Sequence, residues 1–466
     1  MDDEFDVIVI GGGPAGENVV GRCADGGLEV ALVEHELVGG ECSYWGCIPS
    51  KTLIRPGDAL SAARRVPGAA EAVTGALDAT AALARRDYMV NNWTDARQAQ
   101  WVESKSATLV RGRGRLAGTR AVEVETPDGS TRTLRARRAV VLATGTGPVI
   151  PPIDGLHDIS PWDNRDATSA KELPRRLIVL GGGAIGAEMA QAFRRLGCDD
   201  VTIIEALDRL LANEEPFAGE EVRAAFEAEG ITVIVGSRMT AARRARADGP
   251  VVAILEDGRE LTADEILVAV GRRPSTSDVG LDRIGLGDNA GRYLDVDDLL
   301  RVRGVDGDWL YAVGDCNGRA LLTHMGKYHG RLCADVILGK EARDIASNRI
   351  VPRVTFTDPQ VCAVGRTEQH ARDEGLDVRS VSYPTGDVPG AYTLGEGVSG
   401  TSQLVVDQRR GIVVGATFTG PGIQELLHAA TIAIAGEVTL DQLWHAVPAF
   451  PTVSEVWLHL LETYGL

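Results

Sequence analysis

The chain has 466 residues, 44% apolar and 24% charged, a globular mix that fills about three domains at roughly 100–200 residues each. Lys and Arg number 48 against 66 Asp and Glu, a formal charge of −18. That balance excludes nucleic acid and anionic membranes as expected partners, since both need a basic face. The longest apolar stretches, 139–153 and 411–424, are interrupted by Gly and Pro and fall short of the roughly 18–20 residues a membrane-crossing helix needs.

The first residues, Met-Asp-Asp-Glu-Phe-Asp, lack the positive start of a secretory signal. The expected compartment is the cytoplasm, where any disulfide among the seven cysteines is expected to be a working one rather than a staple.

Residues 6–10 form a β-branched run that meets Gly11-x-Gly13-Pro14-Ala15-Gly16 and passes into a helical stretch. Buried parallel strands read this way. A second apolar run, 30–33, ends at Glu34, 23 residues after Gly11. Strand, glycine turn, helix and acid together match the dinucleotide fingerprint. The glycines allow close backbone approach to a pyrophosphate at a helix N-terminus, and Glu34 is placed to accept from ribose hydroxyls.

Next comes Cys42-Ser-Tyr-Trp-Gly-Cys47, followed by Ile48-Pro49-Ser50-Lys51. On an uninterrupted helix the two Cα atoms lie roughly 8–9 Å apart, beyond the ~7 Å that a disulfide tolerates. The pair bridges only if the helix is distorted or begins between the two thiols. Gly46 supplies flexibility and Pro49 suits an early helical turn. On spacing alone, two unrelated buried cysteines remain the alternative. Cys23, Cys198, Cys316, Cys333 and Cys362 are isolated and read as core, and no His/Cys cluster has metal-ligand spacing, so no metal is expected.

Residues 58–86 are rich in Ala and Arg and are predicted helical. Residues 139–142 followed by Ala143-Thr144-Gly145 read as another buried strand and turn, and 149–153 as a linker. Residues 177–186 repeat the opening motif as Gly181-x-Gly183-x-x-Gly186, with strand 201–204 ending at Glu205. Two fingerprints imply two dinucleotides. Glu205 favours NAD over NADP, because a carboxylate repels a 2′-phosphate, while Arg209, Arg243, Arg244 and Arg246 keep NADP open. Residues 261–271 and 309–315 repeat the strand-then-Gly theme. Runs at 351–356, 361–364, 402–406 and 412–418 read as strands, with a helical tail from Pro451, which predicts an α+β domain around an antiparallel sheet.

The segment Gly40-Glu-Cys42-x4-Cys47-Ile-Pro-Ser-Lys51 resembles the redox-active motif of the class I flavoprotein disulfide reductases, which include dihydrolipoamide dehydrogenase, glutathione reductase and mercuric reductase. Ala143-Thr144-Gly145, Gly271-Arg-Arg-Pro274 and Tyr311-Ala-Val-Gly314-Asp315 resemble the family's further flavin and nicotinamide signatures. Phe356-Thr-Asp-Pro359 resembles the start of its dimerisation domain. The resemblance implies an α/β fold with two Rossmann-like domains, FAD- and NAD(P)-binding, plus a C-terminal α+β dimerisation domain. The expected division is 1–150 for FAD, 151–272 for NAD(P), 273–348 completing the FAD domain and 349–466 for the interface.

It further implies FAD along the first unit, with Gly40, Gly112, Thr144, Gly145, Gly314, Asp315 and Thr323 among its contacts. NAD(H), rather than NADP(H), lies on the second, with Met239 and Gly271 among the cofactor residues. Electrons pass from the nicotinamide through the flavin to a Cys42–Cys47 disulfide, leaving by way of Cys47, and Cys42 exchanges with a small-molecule substrate. Lys51 reaches the flavin N5 region and pairs with Glu188, whose carboxylate keeps the ammonium charged. A homodimer completes the site.

One stretch departs from the pattern. The family carries His-Pro-Thr and then a Glu, the His coming from the other subunit to move the proton of the exchanging thiol. Here the sequence is Ala449-Phe450-Pro451-Thr452-Val453-Ser454-Glu455. Phe450 stands at the His position, Pro451 is expected at the first helical position, and Val453, Val456, Trp457, Leu460 and Leu461 form an apolar stripe. Phe cannot transfer a proton, and such help is typically worth ~10²–10⁴ in rate. Dithiol turnover is therefore expected to be slow, with Glu455 left exposed or partly buried and His445 as the alternative base.

The 2-oxopropyl coenzyme M reductase/carboxylase is similar in its Phe, although there the Glu is replaced as well. The end Glu-Thr-Tyr-Gly-Leu holds no cysteine pair, which disfavours mercury and thioredoxin reduction. Tyr44 and Trp45 either close the substrate side or pack inside. The expectation is an FAD-dependent oxidoreductase with a non-standard acceptor: a small disulfide, a quinone or another electrophile. The alternatives are a dihydrolipoamide dehydrogenase with an atypical base and a catalytically silent flavin-binding partner protein.

Overall fold

The computed structural model describes residues 3–246 and 249–466. It divides into two compact units, Met1–Pro49 with Asp87–Val149 and Gly271–Asn348, and Ser50–Arg86 with Ile150–Val270 and Arg349–Leu466.

In the first unit, the apolar runs around the first glycine turn become strands Asp3–Ile10 and Val30–Glu34, paired in parallel with Val9 opposite Leu32. The sheet runs Thr108–Arg111, Val30–Glu34, Asp3–Ile10, Thr131–Leu142, Ala121–Glu125, Arg113–Gly118, and Leu310–Ala312 also pairs with Thr131–Leu142. That last strand is eight residues longer at its start than the apolar run 139–142 suggested. Its first half alternates, burying Leu134 and Ala136 between exposed arginines, and pairs antiparallel with Ala121–Glu125. Its second half is buried throughout and pairs in parallel with Leu310–Ala312. Helices Pro14–Asp25 and Thr323–Ile337 pack on each other. They approach so closely that a Cβ on Gly330 would stand 2.5 Å from the Ala15 carbonyl oxygen.

The second unit repeats the theme in a four-stranded parallel sheet of Thr232–Ile234, Asp200–Ile204, Arg176–Leu180 and Glu265–Val268, with a three-stranded antiparallel sheet of Met239–Arg244, Val251–Leu255 and Glu260–Ala263. The run 261–271 is thus two strands. They break at Asp264, whose carboxylate accepts from the Arg176 amide at 2.9 Å and its guanidinium at 2.7 Å.

The unit also carries a five-stranded antiparallel sheet of Arg353–Thr355, Gln360–Gly365, Ile412–Gly420, Thr401–Asp407 and Val378–Pro384. Val378–Pro384 has no counterpart in the sequence reading, because its buried residues Val378 and Val381 stand three apart, a helical rather than a strand spacing.

Two helical expectations change. Residues 58–86 are not one helix. Cys47–Arg64 ends before Pro67 and Gly68, a short turn Ala70–Ala72 follows, and Ala79–Met89 begins beyond Gly75. Pro451 is not the first helical residue either. The Phe450–Pro451 peptide is cis, Thr452 is extended, a single tight turn covers Val453–Glu455, and the α-helix is Val456–Tyr464. Val456, Trp457, Leu460 and Leu461 are buried as the stripe implied.

One buried cation holds the second unit's early helices in place. Arg86 on Ala79–Met89 is 0% exposed. Its guanidinium donates to the Thr168 carbonyl and, at 2.7 Å, to the Ala170 carbonyl, at the end of helix Asn164–Ser169. Replacing Arg86 by Leu strands both carbonyls, and at about 1–3 kcal/mol per buried unpaired group the loss is about 2–6 kcal/mol. Denaturant titration of the Arg86→Leu protein is expected to show that drop.

Candidate active site

Each glycine turn is closed by the acid at the end of the neighbouring strand. In the first unit, Gly11 has φ +105° and a Cβ there would lie 2.3 Å from the Ala143 carbonyl oxygen, so only glycine fits. A Cβ on Gly16 would meet the Gly11 carbonyl oxygen at 2.0 Å, whereas one on Gly13 would touch nothing within 4 Å. The turn is therefore packed on the inside and open at Gly13, which starts helix Pro14–Asp25 with no side-chain cap and with Ala15 buried behind it. Gly40 comes up against Gly13, where a Cβ would stand 2.8 Å from the Gly13 Cα.

Glu34 accepts from the Gly12 amide at 2.6 Å and the Glu36 amide at 2.7 Å, and Gly112 donates to its backbone carbonyl at 3.0 Å. Burial works to raise the Glu34 carboxyl, but hydrogen bonds from His35 and from the Glu36 and Gly12 amides hold it below the ordinary carboxylate value.

Next to this turn comes Asp315, which the resemblance placed among the flavin contacts, with two partners it did not single out, Thr146 and Arg272. Asp315 follows Gly314 (φ +72°), whose Cβ position lies 3.0 Å from that of Ala15. The Thr146 hydroxyl donates to Asp315 at 2.8 Å, and Arg272 donates to the same hydroxyl at 2.8 Å and to the Thr146 carbonyl at 2.7 Å. Burial raises the Asp315 carboxyl, with Thr146 and Arg272 pulling it back. The Thr144 hydroxyl is buried beside Cys316. Gly145 and Gly271 take positive φ and lead into the paired strands Thr146–Pro148 and Arg272–Pro274. The only signals for Thr146 and Arg272 were their places just after the Ala143-Thr144-Gly145 and Gly271 turns.

The cysteines lie on two different helices. Gly40–Tyr44 carries Cys42, the chain breaks at Trp45 and Gly46, and Cys47 opens the helix Cys47–Arg64. The helix thus begins at the second thiol, one of the two routes that the spacing left open. The thiols hydrogen-bond to each other, and this contact, followed by burial, pushes the Cys42 thiol far up. Cys47 Sγ also meets the Thr323 hydroxyl at 3.2 Å, and its place at a helix N-terminus favours a sulfur anion. Tyr44 turns inward, 1% exposed, with its hydroxyl donating to the Val38 carbonyl at 3.1 Å. Of the two aromatic residues between the thiols, it belongs to the core. The other five cysteines are buried, and burial raises each of their thiols.

In the second unit the same brace recurs. Gly181 has φ +109°, a Cβ on Gly186 would meet the Gly181 carbonyl oxygen at 2.0 Å, and Gly183 is open. Glu205 accepts from Gly182 at 2.6 Å and Leu207 at 2.8 Å. Met239 is only 5% exposed and packs in the core with Leu180 and Ile204. Lys51 Nζ bonds Glu188 Oε2 at 2.6 Å, and the other Glu188 oxygen accepts from the Phe356 amide at 2.9 Å. Near the C-terminus Phe450 is 72% exposed. Glu455 is half-buried, with Oε2 out of contact with solvent and without a hydrogen-bond partner. His445 is exposed just after helix Leu440–Trp444.

Residues 5–330 match the model of the pyridine nucleotide-disulphide oxidoreductases, and residues 351–461 match that family's dimerisation domain. The chain belongs to this family. It is 33% identical to a mercuric reductase of Acidithiobacillus ferrooxidans over 97% of this chain and 81% of the relative. It is 31% identical to a dihydrolipoyl dehydrogenase of Mycobacterium tuberculosis over 97% and 96%. Among solved structures it resembles LpdA from Mycobacterium tuberculosis, with a TM-score of 0.87, 25% identity and full coverage of both chains. It also resembles the Cu(II) complex of the HOCl-induced flavoprotein disulfide reductase RclA from Escherichia coli, with a TM-score of 0.86, 25% identity and 99% of each chain.

The protein is accordingly an FAD-dependent pyridine nucleotide-disulfide oxidoreductase, and its dimerisation domain points to a homodimer. Among the described residues no helix is long and apolar enough to cross a membrane. FAD supplies a two-electron carrier between a nicotinamide and a disulfide. The first unit suits it: an uncapped helix N-terminus, open space above Gly13 and Gly145, and acids at Glu34 and Asp315.

Glu17, in the first turn of helix Pro14–Asp25, is pushed up to about 7 by burial, with Lys327 pulling the other way. A carboxyl whose folded value exceeds its ordinary 4.5 adds stability below that ordinary value and loses it as pH rises through the folded one. Because Glu17 is only half-buried, the drop is about 1–2 kcal/mol. Denaturant midpoints of the FAD-free protein are expected to fall between pH 4.5 and 7, and Glu17→Gln is expected to flatten that slope.

Proposed function

We propose that this protein is an NADH-dependent disulfide reductase whose Cys42–Cys47 pair serves an acceptor that takes no proton from an imidazole, such as a small disulfide, a quinone or another electrophile. The observation that carries this reading is the pairing of an exposed Phe450 with a Glu455 oxygen buried without a partner. In native structures such groups are few, and this one stands where the family's acid would hold a ring N–H. Phe450 has none to give.

The remaining residues take these roles. Cys47, at its helix N-terminus and beside Thr323, holds negative charge. Cys42 stays protonated and exchanges with the acceptor. Glu188 keeps Lys51 charged as the cation that faces the flavin. Glu34 and Asp315 orient the FAD ribose and ribityl portions, and Gly11, Gly13 and Gly16 admit its pyrophosphate. Gly181, Gly183 and Gly186 do the same for the nicotinamide cofactor. Each braced carboxylate oxygen retains a lone pair for a ribose hydroxyl.

NADH is favoured over NADPH by two observations. Glu205 braces the second glycine turn at Gly182, and three of the four arginines that kept NADP open are engaged: Arg209 with the Ala212 carbonyl at 2.9 Å, Arg243 with Glu260 at 2.8 Å and Arg244 with Glu265 at 2.6 Å. kcat/KM for NADH is expected to exceed that for NADPH by about tenfold or more, the ~1.4 kcal/mol of one unfavourable charge contact. Glu205→Ala is expected to narrow the ratio.

Restoring the imidazole tests the reading as a whole. Phe450→His is expected to raise dihydrolipoamide turnover about 10–10²-fold, part of the usual yield of general acid–base help. Wild-type turnover already at that level makes the protein a dihydrolipoamide dehydrogenase with another base. Failure of NADH to reduce the anaerobic protein makes it a silent flavin-binding partner.

A further inference from the structure

Phe356 opens the turn between strands Arg353–Thr355 and Gln360–Gly365 of the five-stranded sheet, and its ring lies over Lys51. Nζ is 4.7 Å from the ring centroid, inside the range at which an aromatic face attracts a cation. The same residue is tied to Lys51 through its backbone. One Glu188 oxygen takes the ammonium at 2.6 Å and the other takes the Phe356 amide at 2.9 Å, so a single carboxylate sets both the cation and the carrier of the ring.

The segment itself is clamped by one face of helix Ala184–Leu196. Gln191 accepts from the Asp358 amide at 2.7 Å and donates to its carbonyl at 2.9 Å, and Arg195 donates to its carboxylate at 2.8 Å. Residues 188, 191 and 195 are three and four apart and share that face. Helix Cys47–Arg64, which carries Lys51, reaches the same Asp358 carboxylate through Ser61 at 2.9 Å, and Arg65 just beyond the helix through an ion pair at 2.5 Å. Phe356 is therefore fixed relative to both partners of the Lys51–Glu188 pair.

An ammonium has three N–H groups and rotates freely on a flexible stem. Glu188 engages one direction. The ring walls a second, without offering a competing acceptor. The Lys51 side chain is still 35% accessible, which leaves a third direction open. We propose that Phe356 is a positioning residue for Lys51: its ring and the Glu188 carboxylate together hold the ammonium pointed along that open direction, where it acts on the bound flavin. This rests on the assignment of Lys51 as the flavin-facing cation.

A double-mutant cycle read on the FAD midpoint potential tests it. Phe356→Leu, in a protein that keeps its FAD, is expected to make the potential more negative by part of the shift that Lys51→Met causes. Phe356→Tyr is expected to restore it, and Phe356→Leu is expected to add nothing once Lys51 is Met. Flavin reduction by NADH is expected to slow about 3–10-fold in Phe356→Leu.

A wild-type potential in Phe356→Leu, with Lys51→Met shifted, overturns the proposal and leaves Lys51 its role. An equal shift in both backgrounds assigns Phe356 to packing and also overturns it. No shift in Lys51→Met overturns the assignment of Lys51 itself. If the Leu variant does not fold, pentafluorophenylalanine at position 356 keeps the ring's shape and reverses its quadrupole, and the potential is judged by the same outcomes.

Discussion

The start of a helix at Cys47 is the constraint on which the chemistry depends. Five steps along a continuous helix put two thiols too far apart to bridge, so a working pair at this spacing needs a break. Trp45 and Gly46 provide it. The break also separates the two sulfurs electrostatically. Cys47 inherits the positive end of an 18-residue helix, whereas Cys42 sits half-buried in the middle of the short helix Gly40–Tyr44 with its thiol pushed up by its neighbour and by burial. On the roles proposed above, a charge on Cys47 and a proton on Cys42, the backbone break, the thiol–thiol contact and burial all act in one direction. Lys51 follows Cys47 by one turn of the same helix, so the cation and the charge-holding thiol cannot drift apart along the chain.

The two nucleotide turns solve a second problem in the same way twice. A glycine loop that opens onto a pyrophosphate has few contacts of its own. In both units the strand-end acid reaches back to the second glycine of the loop, at 2.6 Å in each case, and takes a further amide two residues downstream of itself. These bonds are charge-assisted. They brace the loop within the protein itself. The duplication in sequence is thus a duplication of a mechanical device, not only of a motif.

Much of this was legible in the sequence wherever the chemistry forces an unusual backbone. Gly11, Gly16, Gly181 and Gly186 stand where a Cβ would collide with backbone, and the Cys42–Cys47 spacing demands a break in the helix. Parts that use ordinary residues in ordinary ways were not legible. Val378–Pro384 hides its strand behind a three-residue spacing, and the first half of Thr131–Leu142 hides behind arginines on its exposed face. Arg86 is charged by type yet lies fully inside, because its partners are carbonyls about eighty residues away. Thr146 and Arg272 matter through a chain of hydrogen bonds that no local pattern encodes. The helix expected from Pro451 starts five residues later, since Thr452 is extended and a tight turn intervenes.

At the far end of the chain, burial and charge argue together. An oxygen of Glu455 buried without a donor costs about 1–3 kcal/mol, a sizeable share of a domain's net stability. Folding alone gives no return for it. Phe450, Val447 and Trp444 are 72%, 84% and 39% exposed on the same unit, an apolar surface of the kind that a second subunit of a dimerising family covers. Once covered, that surface presents the Phe450 ring, and Glu455 on the same unit keeps one oxygen without a partner. Under the function proposed above, an acceptor that brings its own N–H or O–H to Glu455 and asks nothing of Phe450 but an apolar wall would satisfy both residues.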